Sequence, residues 1–192
     1  RIAPEDGDDR ALAPGNLPEG FPTERLVEPR PVMLSGADGK RVRGQLFMPP
    51  EAEAGDGRPA VLFLHGGSRR QMLLGWHYLR YYHNSYAMNQ YLASRGYVVL
   101  SLNYRSGIGY GLEFREARRW GARGASEFMD VLGAGLWLRN RPEVDGERIG
   151  LYGGSYGGYL TALGLARASD LFAAGADFHG VHDWNIEFEF DG

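Results

Sequence analysis

A chain of 192 residues has a one-domain length, and its 43% hydrophobic content is enough to bury a core. The net charge of −3 comes without a block of like charges, so neither a nucleic-acid arm nor a membrane-binding face is indicated. The lack of cysteine excludes disulfides, thiolate metal sites and a cysteine nucleophile, and no apolar run approaches the roughly 18 residues of a membrane span. Cysteine-free chains suit either redox environment, so the compartment stays open between cytoplasm and periplasm or exterior. No secretory signal is visible at the start. Only Lys40 among the 21 basic residues is a lysine, but the arginines form no single stripe.

Residues 1–30 are rich in Pro, Gly, Asp and Glu, lack helical or strand periodicity, and read as a linker or arm. Residues 31–192 read as part of one α/β unit. Pro31–Ser35 and Arg41–Met48 flank Asp38-Gly39, the pattern of a β-hairpin. Ala60–Leu64 and Tyr97–Leu102 are continuous apolar runs, as expected of strands covered on both faces. Arg148–Tyr152 and Phe172–Phe178 are shorter candidates of the same kind. Helical patterns lie at Ala87–Ser94, Ala125–Arg139 and Tyr156–Ala168. This alternation predicts a mostly parallel, doubly wound sheet with an antiparallel edge from the hairpin.

Gly153-Gly154-Ser155-Tyr156-Gly157 falls between the strand Arg148–Tyr152 and the apolar helix that follows. Gly-x-Ser-x-Gly would arise by chance roughly 0.2 times in a chain with this composition, so its context must decide. A strand–Ser–helix turn forces strained backbone on the serine and brings strand and helix together, which requires Gly153 and Gly157; Gly158 is expected to give further room at the sheet. Ser155 Oγ would then stand at the amino end of a helix, where unpaired N–H groups favour negative charge. Ser155 is therefore the expected nucleophile and the Tyr156 N–H an oxyanion donor. His65-Gly66-Gly67 follows the strand Ala60–Leu64 directly, and Gly67 is the expected second donor. His65 precedes the nucleophile in the chain, whereas this arrangement runs serine, acid, histidine; it is expected to order the loop.

From Val32 to Trp184 the chain resembles the hydrolase domain of the prolyl oligopeptidase family, especially its dipeptidyl peptidase IV and acylaminoacyl peptidase branches. The resemblance rests on Asp38-Gly39, His65-Gly66-Gly67, the run Asn103 to Gly111, Asp130-Val131, the run Val144 to Gly150, and Gly154 to Tyr159. It implies an α/β-hydrolase fold, incomplete on its C-terminal side, and hydrolysis of peptide bonds, often in short peptides. It also implies a β-propeller cap, which residues 1–30 would follow. Trp184 would stand beside the pocket for the residue preceding the scissile bond; after this position the dipeptidyl peptidase branch has tyrosines, whereas this chain has Ile186, Glu187 and Phe188.

Several other residues are expected to be structural. Arg105 and Asp130 should pair and fix the glycine-rich loop against a helix. Gly107, Gly109 and Gly111 do not open a helix after the first strand, so they are no dinucleotide site. Trp76, Tyr78, Tyr81, Tyr82 and Tyr86 form an aromatic cluster, by default for packing or an interface, with a substrate wall as the alternative. His179, His182, Asp170, Asp177 and Asp183 read as ordinary loop groups, which places the triad histidine and aspartate outside this chain. The chain starts at Arg1 without a methionine and is expected to belong to a larger protein, or to be completed by another segment or another copy. No cofactor is implied, and the histidines have no metal-ligand spacing. The expected substrate is a peptide. The alternatives are an esterase acting on small acyl esters and a non-catalytic hydrolase-like interaction module.

Overall fold

Six strands form one sheet in the order β1-β2-β4-β3-β5-β6 in a computed structural model that describes residues 17–190. The strands are β1 (Arg30–Ser35), β2 (Arg41–Phe47), β3 (Arg58–Leu64), β4 (Val98–Asn103), β5 (Val144–Gly154) and β6 (Ala174–Phe178). β1 and β2 pair antiparallel around the Asp38-Gly39 turn, where Gly39 takes φ +80°. β2 also runs antiparallel to β4, whereas the β3–β4, β3–β5 and β5–β6 pairs are parallel. The helices are α1 (Arg80–Ser94), α2 (Leu112–Arg115), α3 (Ala125–Arg139), α4 (Tyr156–Arg167) and α5 (Trp184–Phe190).

Strand alternation divides the core between the two faces of the sheet. Leu46, Leu62, Leu64, Leu100 and Leu102 point into the larger core with Val131, Ala134, Leu138 and Leu160 from α3 and α4. Phe47 and Val99 pack on the other face with Ala93 of α1, and Phe63 packs there with Tyr82 of α1. The two uninterrupted apolar runs are thus the two central parallel strands. This doubly wound sheet with an antiparallel hairpin at one edge is the expected α/β architecture.

Three boundaries move, each for a tertiary reason. α1 begins at Arg80 rather than Ala87, because its first turn holds Tyr82 against the sheet. β5 starts at Val144, pairing with Arg58 before a register shift and the regular ladder from Ile149. β6 begins at Ala174 and all five of its residues are exposed, unlike the covered strand its composition suggested. Among the described residues β6 pairs only with β5, and no helix covers it on α1's side of the sheet. Of the expected arm, residues 1–16 lie outside the described residues. Val27, near its end, is buried and exchanges two 2.8 Å hydrogen bonds with the Gln90 side chain.

Candidate active site

Ser155 sits between β5 and α4 with φ +56° and ψ −121°, a backbone state that costs a non-glycine residue about 1–3 kcal/mol. Close packing enforces it. A β-carbon on Gly153 would lie 2.5 Å from the Leu64 carbonyl oxygen, and one on Gly157 would collide with that same oxygen and come within 2.7 Å of His65 O. The Ser155 N–H donates to Phe178 O at 3.0 Å, tying the turn to the end of β6. Gly158 serves the approach of α4 to the sheet edge. It makes room for Asp177 at the end of β6 and for Gly180 of the loop that follows.

The His65-Gly66-Gly67 loop lies directly on Ser155, since a β-carbon on Gly66 would stand 3.2 Å from Ser155 Cβ. Two buried tyrosines hold this loop by its carbonyls. Tyr104 Oη donates to His65 O at 2.6 Å, and Tyr82 Oη donates to Gly66 O at 2.9 Å. Gly67 takes φ +52°, which favours glycine. His65 is fully buried and stacked on Tyr104 at 4.2 Å, with Nδ1 3.2 Å from Gly66 O. Burial pushes its imidazole down to about 4, so it is neutral at pH 7. No hydrogen bond joins it to Ser155 among the described residues.

Gly67, Ser155, Tyr156, Val181 and Trp184 line one cleft of about 900 Å³, so the structure brings four residues singled out in the sequence to a single place. The Tyr156 N–H belongs to the first turn of α4, where backbone donors lack intrahelical partners. Trp184 opens α5, and its ring meets Tyr156 at 5.9 Å and Tyr159 at 5.6 Å, edge to face. The far wall is the segment Arg118–Arg123.

Asp177 and His182 form a contact that the sequence did not suggest: His182 Nε2 lies 2.7 Å from Asp177 Oδ2. Asp177 Oδ1 also accepts the Gly180 N–H at 2.9 Å. The pair resembles a base and its orienting acid, yet no described imidazole hydrogen-bonds the Ser155 hydroxyl. Its visible effect is to fix the loop carrying Val181 and Trp184.

Arg105 and Asp130 do pair, in a larger set. Asp130 accepts the Arg105 backbone N–H at 2.7 Å and its Nε–H at 2.9 Å, and the guanidinium also grips Asp38 at 2.7 and 3.0 Å and Ser126 O at 3.0 Å. Burial pushes the Asp130 carboxyl up to about 6, against the pull of Arg105. The glycines after this arginine serve packing. Gly107 abuts Arg70 O, Gly109 faces Gln71, and Ile108 N–H donates to Arg70 O at 3.1 Å. The aromatic cluster divides as well. Trp76 packs with His83 and Tyr86, Tyr82 serves the glycine loop, and Tyr78 is 79% exposed.

Sequence reasoning passed over Glu127. It is fully buried, and its carboxylate accepts from Ser126 Oγ at 2.6 Å and Gly121 N–H at 3.2 Å, with Tyr156 Oη at 2.8 Å. The signal was present: Glu127 and Asp130 are the only acids of α3, three residues apart and hence on one face of an apolar helix.

The chain matches the model of the prolyl oligopeptidase family over residues 82–191. It is 35% identical to dipeptidyl aminopeptidase BIII of Pseudoxanthomonas mexicana over 87% of this chain and 23% of that protein. It is 31% identical to human dipeptidyl peptidase 8 over 82% of this chain and 16% of that one. Among solved structures, a Mycobacterium tuberculosis puromycin-hydrolyzing peptidase is similar with a TM-score of 0.74 and 31% identity, over 86% of this chain and 24% of the other. An acylaminoacyl peptidase bound to Z-Gly-Gly-Phe-chloromethyl ketone gives 0.70 and 34%, over 86% and 25%. The chain therefore spans about a quarter of the length of such relatives or less. Their shared sheet and the match across Ser155 agree with the turn built here, and the chain belongs to the prolyl oligopeptidase family.

Proposed function

We propose that the protein is a serine peptidase that cleaves short peptides through an acyl-enzyme on Ser155. The observation that carries this reading is the strained Ser155, held at φ +56° at the head of α4 in one cleft with Gly67, Tyr156 and Trp184. In the proposed reaction Ser155 Oγ attacks the scissile carbonyl, and its proton passes to a histidine base. The carbonyl oxygen becomes an oxyanion facing the N–H groups of Gly67 and Tyr156. Collapse expels the amine, which takes a proton from that histidine, and water then releases the acyl group by the same steps. Trp184 forms part of the wall for the residue preceding the scissile bond. The base and its orienting acid are assigned to residues outside those described, since neither the enclosed His65 nor the Asp177-bound His182 hydrogen-bonds the Ser155 hydroxyl. No cofactor takes part in this scheme. A further domain of the same protein, or a second copy, would complete the substrate site.

Intact-mass analysis of the full-length protein after incubation with a fluorophosphonate tests the reading, with Ser155→Ala as the control. One adduct that vanishes in the variant is the expected result. A well-folded protein that forms no adduct would remove the nucleophile assignment. Faster turnover of aminoacyl amides than of simple acyl esters would separate peptidase from esterase.

A further inference from the structure

The cleft beside Ser155 carries an excess of positive charge that its surroundings do not neutralise. Arg118, Arg119 and Arg123 line it with one acid, Glu187. Among the described residues none of the three arginines has a carboxylate partner. Elsewhere Arg58, Arg105, Arg141 and Arg148 each hold an acid within 3.0 Å, while others, such as Arg43 and Arg167, lie against aromatic rings without one among the described residues. Next to the cleft, Arg69 and Arg115 share Glu116, at 2.7 and 3.0 Å. In a protein with a net charge of −3, three guanidinium groups without a carboxylate partner thus share the cleft of Ser155 with a single acid.

The wall that bears them is fixed rather than a loose loop. Arg119 has φ +62° and its carbonyl accepts the Ala125 N–H at 3.1 Å. The Gly121 N–H donates to buried Glu127 at 3.2 Å, and Gly121 O lies 2.9 Å from Tyr156 Oη. Tyr159 Oη donates to Ala122 O at 3.0 Å. Trp120 is held under the Arg69 guanidinium at 4.2 Å. Tyr156, the residue after the nucleophile, therefore anchors the arginine-bearing turn directly.

We infer that this cleft selects peptides with a carboxylate next to the scissile bond, held by Arg118, Arg119 and Arg123. The inference rests on the peptidase reading above, since it names which peptides that site takes. Clefts lined by one sign of charge concentrate the opposite sign, and planar guanidinium groups match carboxylate oxygens in pairs. Glu187, on α5, would turn such a carboxylate towards the arginine wall. The carboxylate could be an aspartate or glutamate side chain or the free C-terminus of a short peptide.

Binding and labelling together test the inference. Peptides identical except for Glu, Gln or Lys before the scissile bond would be titrated onto the Ser155→Ala protein, each with an amidated C-terminus. The Gln peptide would also be made with its C-terminal carboxylate free, one residue after that bond. The expected result is about fivefold to tenfold tighter binding of a carboxylate peptide than of its neutral match, fading towards unity near 1 M salt. Preference for the Glu peptide assigns the side chain as source, and preference for the free carboxylate assigns the terminus. The advantage should disappear in Arg118→Gln/Arg119→Gln/Arg123→Gln, whose positions are exposed and whose melting temperature should hold. It should grow about twofold in Glu187→Gln. Equal binding of all peptides, preference for Lys, or an advantage that survives the triple substitution would overturn the inference. Fluorophosphonate labelling of the Ser155 protein reports separately: an adduct with no charge discrimination leaves the peptidase reading standing alone, whereas discrimination without an adduct leaves only the binding preference.

Discussion

The two loops that meet at Ser155 are built in opposite ways. On the β3 side, the His65–Gly67 loop is held by backbone carbonyls. Tyr82 and Tyr104 are buried, their hydroxyls donate to Gly66 and His65, and His65 itself is fully enclosed. On the β6 side, the loop from His179 to Asp183 rests on the exposed Asp177–His182 contact and the cap at Gly180. The first loop is fixed by groups that cannot move without leaving a buried polar atom unpaired. The second is fixed by groups that water can replace. The machinery nearest the proposed oxyanion is therefore rigid, while the segment that delivers Val181 and Trp184 to the cleft is tunable. That division suits a site in which the chemistry is constant and the substrate varies.

The contrast is open to breakage, most severely at Gly157. A β-carbon there collides with backbone carbonyls of β3 and the β3 loop, which have no room to yield, so Gly157→Ala should destabilise the fold by about 4 kcal/mol or more. Urea unfolding would show this as a lower midpoint with unchanged slope. A smaller and conditional effect belongs to His65. Above about pH 6.5 it is neutral in the folded and the unfolded chain. Below that, the unfolded chain takes up a proton that the folded chain refuses until about pH 4. Stability should thus fall as pH drops from 6.5 to 4, by about 1.4 kcal/mol per pH unit from this residue. Asp130 works in reverse. Its raised folded-state value near 6 makes stability fall as pH rises from 3.8 through 6. The clean measurement is the difference between the wild type and His65→Phe across pH 4–7, which should carry the His65 slope alone. A flat difference would show that the imidazole is not enclosed. The smallest effect should come from the β6 side. His182→Ala removes an exposed contact and should change stability by no more than about 0.5 kcal/mol, while raising KM more than it lowers kcat. A loss of kcat instead would give His182 a part in the chemistry.

Much of this architecture is written in local patterns. The runs Ala60–Leu64 and Tyr97–Leu102 are apolar throughout because strands covered on both faces have no solvent side to mark, and they became the two central parallel strands. α3 begins and ends at the residues its pattern indicated, Ala125 and Arg139. Ser155 was legible because strained geometry demands glycine two residues to either side. By contrast, β6 was misread as covered, since a short run such as Ala-Gly-Ala-Asp-Phe carries no sign of which neighbours will lie on it.

The sequence by itself determined the strand–helix alternation, the strained Ser155 turn and the glycine loop opposite it, because each depends on residues within a few positions of one another. Only the tertiary structure decided that buried Glu127 braces Tyr156, that the Arg118–Arg123 wall lines the same cleft as Ser155, and that Asp177 meets His182. Those assignments depend on groups close in space but set on separate elements, or on how a loop closes on itself. Neither periodicity nor motif spacing encodes such distances; packing of helices on a twisted sheet does.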